Sequence, residues 1–232
     1  MQRVISSRRL FLFDIDGTLL TSAHAGKHAL RDSMQSQFGI REDLTGIPLA
    51  GATDGAVAKA LLAKNGIPVT QENTAFLLEG YLRHLSERIY YHPGNLMPGV
   101  LELLQYLSLR PDCVLGLLTG NLVRGAQIKL TFYGAWHFFE FGAFADDHDN
   151  RNELGNVART RACKIYGIEF PPGHIYVVGD TPSDIDCGRA INAHTVAVAT
   201  GEHSMEELSQ FQPDFLFKDL LDTSSVLYSL LR

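Results

Sequence analysis

"LFLFDIDGTLL", residues 10–20, decides how the rest of the chain is read. A bulky apolar run meets two aspartates, Asp14 and Asp16, and then Gly17 and Thr18. The run has the length and composition of a buried strand. Side chains two apart on a strand face the same way, so both carboxylates look into one crevice while Ile15 turns to the core. Neighbouring carboxylates repel unless a cation offsets their charge. A hard divalent ion such as Mg2+ meets that demand through oxygen ligands and retained waters. Gly17 lets the chain turn sharply and lets backbone amides approach a ligand.

Working outward, short apolar runs recur at 10–13, 114–118, 138–144, 175–178, 195–199 and 215–217. Helical patterns lie among them at 99–109, 123–133, 152–166 and 183–191. This alternation predicts an α/β fold with right-handed crossovers and a parallel sheet. Continuously apolar strands predict that helices sandwich the sheet on both faces. Residues 22–95 break the rhythm with three helices, expected at 22–38, 54–64 and 71–90. The division that follows is a core of residues 1–20 and 96–232, interrupted by a helical insert over 21–95. The chain returns through "HPGNLMPGV", residues 92–100, whose Pro and Gly suit a hinge.

Composition narrows the function. With 45% hydrophobic and 20% charged residues in 232, the chain is an ordinary globular protein. No apolar run is long enough to span a membrane as a helix. "MQRVISSRRLFLFD" reads as a strand rather than a signal peptide, because its apolar run ends at Asp14 without a small-residue cleavage pattern. Cys113, Cys163 and Cys187 form no paired motif, which fits reduced thiols in a cytoplasm. A net charge of −6 argues against a nucleic-acid surface. It leaves room for an anionic small molecule held by local groups.

In a doubly wound sheet, ligands bind at the carboxyl ends of the strands. Besides Asp14 and Asp16, three such ends carry polar chemistry. Thr119, Gly120 and Asn121 follow an apolar strand and open a helix, a place suited to phosphate. Asp180 follows another strand after Gly179, and Asp184 lies four residues on. Both can complete an acidic metal site with Asp14. The third end is "FADDHDNRNEL", residues 144–154, where Arg151 just ahead of a helix is the best-placed cation for a phosphoryl group. Arg159 and Lys164 read as surface charges. His24, Lys27 and His28 read as a solvated helix face.

These motifs, in this order, resemble the haloacid dehalogenase (HAD) superfamily of phosphoryl-transfer enzymes. DxDGT matches its first motif, Thr119-Gly120-Asn121 its second and GDxxxD its fourth; Arg151 stands where the third usually has lysine. The resemblance covers essentially the whole chain. It implies a Rossmann-like core with a small C1-type helical cap inserted after the first strand, and a phosphoglycolate phosphatase-like phosphatase using Mg2+. Asp14 would then be the nucleophile and Asp16 the acid and base. Asp14, the Asp16 carbonyl and Asp180 would hold the metal, with Asp184 in support. Thr18, Thr119, Gly120, Asn121 and Arg151 would contact phosphate, with Asn121 orienting the phosphate or Asp14. The loop at 48–61 resembles the family's substrate-facing segment, and a small cap implies a small phosphorylated metabolite. A sugar phosphomutase of the β-phosphoglucomutase type is the alternative, but its cap-hinge histidine is matched here by Gly26. A non-catalytic phosphate-binding scaffold is a third reading, opposed by Asp14, Asp16 and Asp180.

Overall fold

The computed structural model describes the backbone of Val4–Ile5 and all residues from Arg8 to Arg232. Residues 1–3, 6 and 7 of the expected amino-terminal strand lie outside the described residues. The chain opens with β1 (Val4–Ile5), β2 (Arg9–Phe13) and β3 (Leu20–Thr21). The insert follows: α1 (Ala25–Phe38), α2 (Asp54–Lys64) and α3 (Gln71–Arg88), then β4 (Asn95–Leu96). The remainder runs α4 (Val100–Ser108), β5 (Cys113–Leu118), α5 (Val123–Phe132), β6 (Gly142–Ala143) and α6 (Arg151–Tyr166). After β7 (Ile168–Glu169) come β8 (Ile175–Gly179), α7 (Pro182–Ala190), β9 (His194–Val198) and α8 (Met205–Ser209). β10 (Phe215–Phe217) and α9 (Thr223–Leu231) close the chain.

Six strands form one parallel sheet in the order β10-β9-β8-β2-β5-β6. β2 is central, with β8 on one side and β5 on the other. The chain order of the strands reverses at that point, which is where a doubly wound sheet opens a crevice. Alternation along β2 assigns the two faces. Phe11 and Phe13, followed by Ile15, pack with α4, α5 and α9 residues such as Leu104, Leu130 and Leu230. Leu10 and Leu12 pack with Leu154, Ala158 and Cys187 from α6 and α7. Both faces are covered, as continuously apolar strands require.

Two expected elements differ. The run at 138–144 is not one strand: a single 3-10 turn covers Trp136–Phe138, and only Gly142–Ala143 pairs, with β5. This is a sheet edge, where no outer strand among the described residues prolongs the ladder. Phe139 and Phe144 wedge into one face and Phe141 into the other, so burial rather than pairing explains the aromatic run. The helix expected from residue 22 begins at Ala25, because Ala23 and His24 adopt positive φ.

The insert has its own apolar cluster, including Met34, Leu61, Leu77 and Leu85. Leu122 and Ile128, from the start and outer face of α5, join it. Where the chain leaves and returns, β3 and β4 pair antiparallel through Leu20–Leu96 and Thr21–Asn95. The thiols of Cys113, Cys163 and Cys187 are free. No helix among the described residues is long and apolar enough to cross a membrane.

Phe11 is fully buried and stacks on Tyr176 at 4.8 Å between ring centroids. Phe11→Ala is expected to destabilise the protein by about 3–5 kcal/mol in urea unfolding. A loss under about 1 kcal/mol would mean that the central strand is not the packing centre.

Candidate active site

Register aligns the ends of the three central strands. Phe13 pairs with Leu117 on one side and Val178 on the other, and the Asp14 amide donates to the Val178 carbonyl at 2.9 Å. Asp14, Thr119 and Asp180 therefore emerge at one level. There a cavity of about 350 Å³ opens between the sheet and the insert, with Asp14, Asp16, Gly120, Asn121, Arg151 and Asp180 in its wall. Its size suits a small metabolite.

Asp14, Asp180 and Asp184 are buried and present oxygen atoms within 4.8 Å of one another. At about 4–5 Å, and with an effective dielectric near 20, each like-charged pair repels by roughly 4 kcal/mol. Arg151 offsets part of this. It is the first residue of α6 rather than just ahead of it, and Asn150 caps that helix. Its Nη2 donates to Asp14 Oδ1 at 2.8 Å and to Asp184 Oδ1 at 2.5 Å. Burial opposes its charge, but Asp184 and Asp14 hold its pKa above the usual range. Its Nε–H is buried without a partner among the described residues.

One guanidinium does not balance three carboxylates. Burial, then Asp184 and Asp14, pushes the Asp180 carboxyl up to about 8. Burial outweighs the pull of Arg151 at Asp14 and raises it to about 6. A cluster of hard oxygen donors carrying uncompensated charge fits a divalent cation. The two oxygens of Asp184 are already engaged, Oδ1 by Arg151 and Oδ2 by the amide and hydroxyl of Thr181. Asp14 and Asp180 are thus the better-placed direct ligands, with Asp184 holding Arg151 and the start of α7.

Asp16 stands apart from this cluster. Its side chain is 43% exposed, and its Oδ2 accepts from Lys129 Nζ at 2.6 Å and Asn121 Nδ2 at 2.8 Å. Among the sequence-expected residues, Asn121 orients Asp16, not Asp14. Thr18 is fully buried and donates to Asp180 Oδ1 at 2.8 Å; it braces a carboxylate and does not line the cavity as a phosphate contact would. Thr119 is fully buried too, its Oγ accepting from the amide and side chain of Asn121. The Asp16 carboxylate does not belong to the metal-type cluster.

Glycine matters at two positions. Gly17 has a φ of 88°, and a Cβ there would strike the Asp180 carboxylate. A Cβ on Gly120 would strike the Ala52 carbonyl of the insert. That second approach docks the insert loop on the core. The Asp54 amide donates to the Gly120 carbonyl at 2.7 Å, and the Asp54 carboxylate accepts from the Leu122 amide at 2.8 Å. Burial raises the Asp54 carboxyl to about 6. Thr53 caps α2 and donates to the Asp149 carbonyl, while Lys59 pairs with the Asp149 carboxylate. The remaining acids of "FADDHDNRNEL" serve local structure, Asp147 pairing with Arg161 and Asp146 accepting from Val123.

Sequence reasoning missed Lys129, which lies in the last turn of an otherwise apolar inward face of α5. A lone lysine three residues from Ala126 and next to Leu130, both fully buried, was the available signal. It also set aside His24 and Lys27, which line the cavity, Lys27 pairing with Glu202 at 2.9 Å. His28 instead stacks on His92 at 4.7 Å.

A family model described as HAD-hydrolase-like matches residues 154–223. The chain is similar to phosphoglycolate phosphatase of Haemophilus influenzae, 24% identical over 231 residues, covering 94% of this chain and 98% of that one. It is 27% identical over 228 residues to phosphoglycolate phosphatase of Aliivibrio fischeri, covering 94% and 97%. It is 24% identical over 225 residues to pyrophosphatase PpaX of Listeria welshimeri, covering 93% and 94%. Among solved structures, β-phosphoglucomutase from Clostridium difficile shares the fold with a TM-score of 0.75 at 17% identity, covering 97% of each chain. A hydrolase from Pseudomonas syringae does so at 0.71 and 23%, covering 96% and 99%.

A carboxyl whose folded pKa is raised keeps its proton where the unfolded chain has lost it. The folded state then binds more protons between about pH 4 and 8, so stability falls as pH rises through that window. With chelator present, Asp180→Asn is expected to raise the thermal midpoint, by a margin that grows from pH 5.5 to 8.5. A variant less stable than wild type at pH 8.5 would show that Asp180 is not strained by its neighbours.

Proposed function

We propose that this chain, a HAD-like hydrolase in motif order, fold and relatives, is a Mg2+-dependent phosphatase that cleaves a small phosphomonoester through an aspartyl-phosphate. The observation that carries this reading is the meeting of Asp14, Asp180 and Arg151 in one small cavity roofed by the insert. Phosphoglycolate, named in several relatives, is the first ester to test. In this reading residues 21–95 are the cap and residues 1–20 and 96–232 the catalytic core, and the protein works in the cytoplasm.

Asp14 and Asp180 would hold Mg2+ with the Asp16 main-chain carbonyl, and the ion would supply Lewis-acid neutralisation of the phosphoryl group. Arg151 steadies Asp14 Oδ1, which leaves the other oxygen to attack phosphorus. The Gly120 amide and the Arg151 guanidinium, both in the cavity wall, are donors for phosphoryl oxygens as charge builds. Asp16 protonates the leaving oxygen and then activates water. The insert loop excludes bulk water from the cavity.

Asp14→Asn is expected to lower turnover at least about 1,000-fold while the variant still unfolds in one cooperative transition. Chelation is expected to abolish phosphate release, and Mg2+ to restore it. Arg151→Ala is expected to cost about 100-fold, the scale of one lost transition-state donor. Wild-type phosphate release by Asp14→Asn would overturn the assignment.

A further inference from the structure

The geometry points to Lys129 as a positioning residue that makes Asp16 a one-sided acid and base: with Asn121 it holds Oδ2, so that Oδ1 alone exchanges the proton. This rests on the phosphatase reading above.

Asp16 lies past the end of β2, where the backbone makes an isolated bridge to Leu20. A half-exposed carboxylate in such a place samples several rotamers, and catalysis needs one. Lys129 supplies the constraint. It is 4% exposed, and its Nζ donates to Asp16 Oδ2 at 2.6 Å and to Asn121 Oδ1 at 2.7 Å. Asn121 Nδ2 closes the ring by donating to the same Asp16 oxygen at 2.8 Å. Asn121 is itself fixed, because the same nitrogen also donates to Thr119 at 2.9 Å.

A carboxylate oxygen that accepts two hydrogen bonds, one from an ammonium, is a poor site for a proton. Oδ1 is therefore the oxygen left free to exchange a proton. In the first half-reaction Oδ1–H gives its proton to the leaving oxygen as the phosphorus–oxygen bond breaks and the Asp14–phosphorus bond forms. In the second, Oδ1 takes a proton from water as the water oxygen bonds to phosphorus and the Asp14–phosphorus bond breaks. Asp16 ends protonated, ready for the next ester.

Packing does not explain Lys129. Its neighbours on the inward face of α5, Ala126 and Leu130, are apolar, and an ammonium buried there costs desolvation that a methionine would not.

Leaving-group dependence tests the proposal. Phenyl phosphate and p-nitrophenyl phosphate have nearly the same shape, but phenol is a poor leaving group that needs a proton and p-nitrophenol is not. For Lys129→Met, kcat/KM is expected to fall about 100-fold on phenyl phosphate, the lower range of acid–base contributions, and under about 5-fold on p-nitrophenyl phosphate. The thermal midpoint is expected to fall, because the buried Asp54 carboxylate and the Asn121 carbonyl lose their cation, and the comparison between the two esters is independent of that fall. Lys129→Gln, neutral but still a donor, is expected to recover part of the loss, and carries the same comparison if the methionine variant does not fold. Equal losses on both esters, or no loss on either, would overturn the role of Lys129 while leaving the phosphatase assignment intact. A wild-type enzyme inert on both esters would remove that assignment, and this inference with it.

Discussion

Three buried carboxylates share one guanidinium at the centre of this protein. Asp14, Asp180 and Asp184 converge because the two middle strands end at the same level and α7 starts just beyond. Their repulsion opposes folding, and only the surrounding packing holds them together. Phe11, Phe13, Val177 and Val178 supply it, buried on both faces of the sheet. Thr18 and Thr181 hold the carboxylates from behind, and Arg151 spans two of them. An uncompensated negative charge that the fold tolerates is a standing demand for a cation. The proposed chemistry follows from that demand.

The insert is bound to this site by short-range contacts rather than by area alone. Its loop reaches the core where Gly120 has no side chain, so the Ala52 carbonyl can approach closely. Asp54 then links α2 to the entrance of α5 through two hydrogen bonds. The helix that carries Lys129 also carries Ile128, which belongs to the apolar cluster of the insert. The insert and the segment that holds Asp16 thus meet in one apolar cluster.

Most strand ends were legible because strand chemistry is local. Apolar runs that stop at Asp14, Thr119 and Asp180 announce themselves, and the register only had to bring them level. The edge run at 138–144 misled because alternating aromatic burial imitates pairing. Thr18, Thr119 and Asn121 were legible as polar residues beyond strand ends but not in their partners. Hydroxyls and amides bond whatever the fold sets beside them, and sequence spacing does not report that. Lys129 stood out as a lone lysine on an apolar face, but its partners, Asp16 and Asn121, lie 113 and 8 residues away.

The sequence by itself determined the α/β architecture, the helical interruption after the first long strand, and the acidic, phosphate-suited character of the strand ends. Periodicity and residue chemistry carry that information along the chain. The tertiary structure decided which oxygen meets which donor. It gave Arg151 to Asp14 and Asp184, Thr18 to Asp180, and Lys129 with Asn121 to Asp16. These choices depend on angstrom-scale register between segments distant in sequence, and on burial that makes each unpaired charge costly enough to require a particular partner.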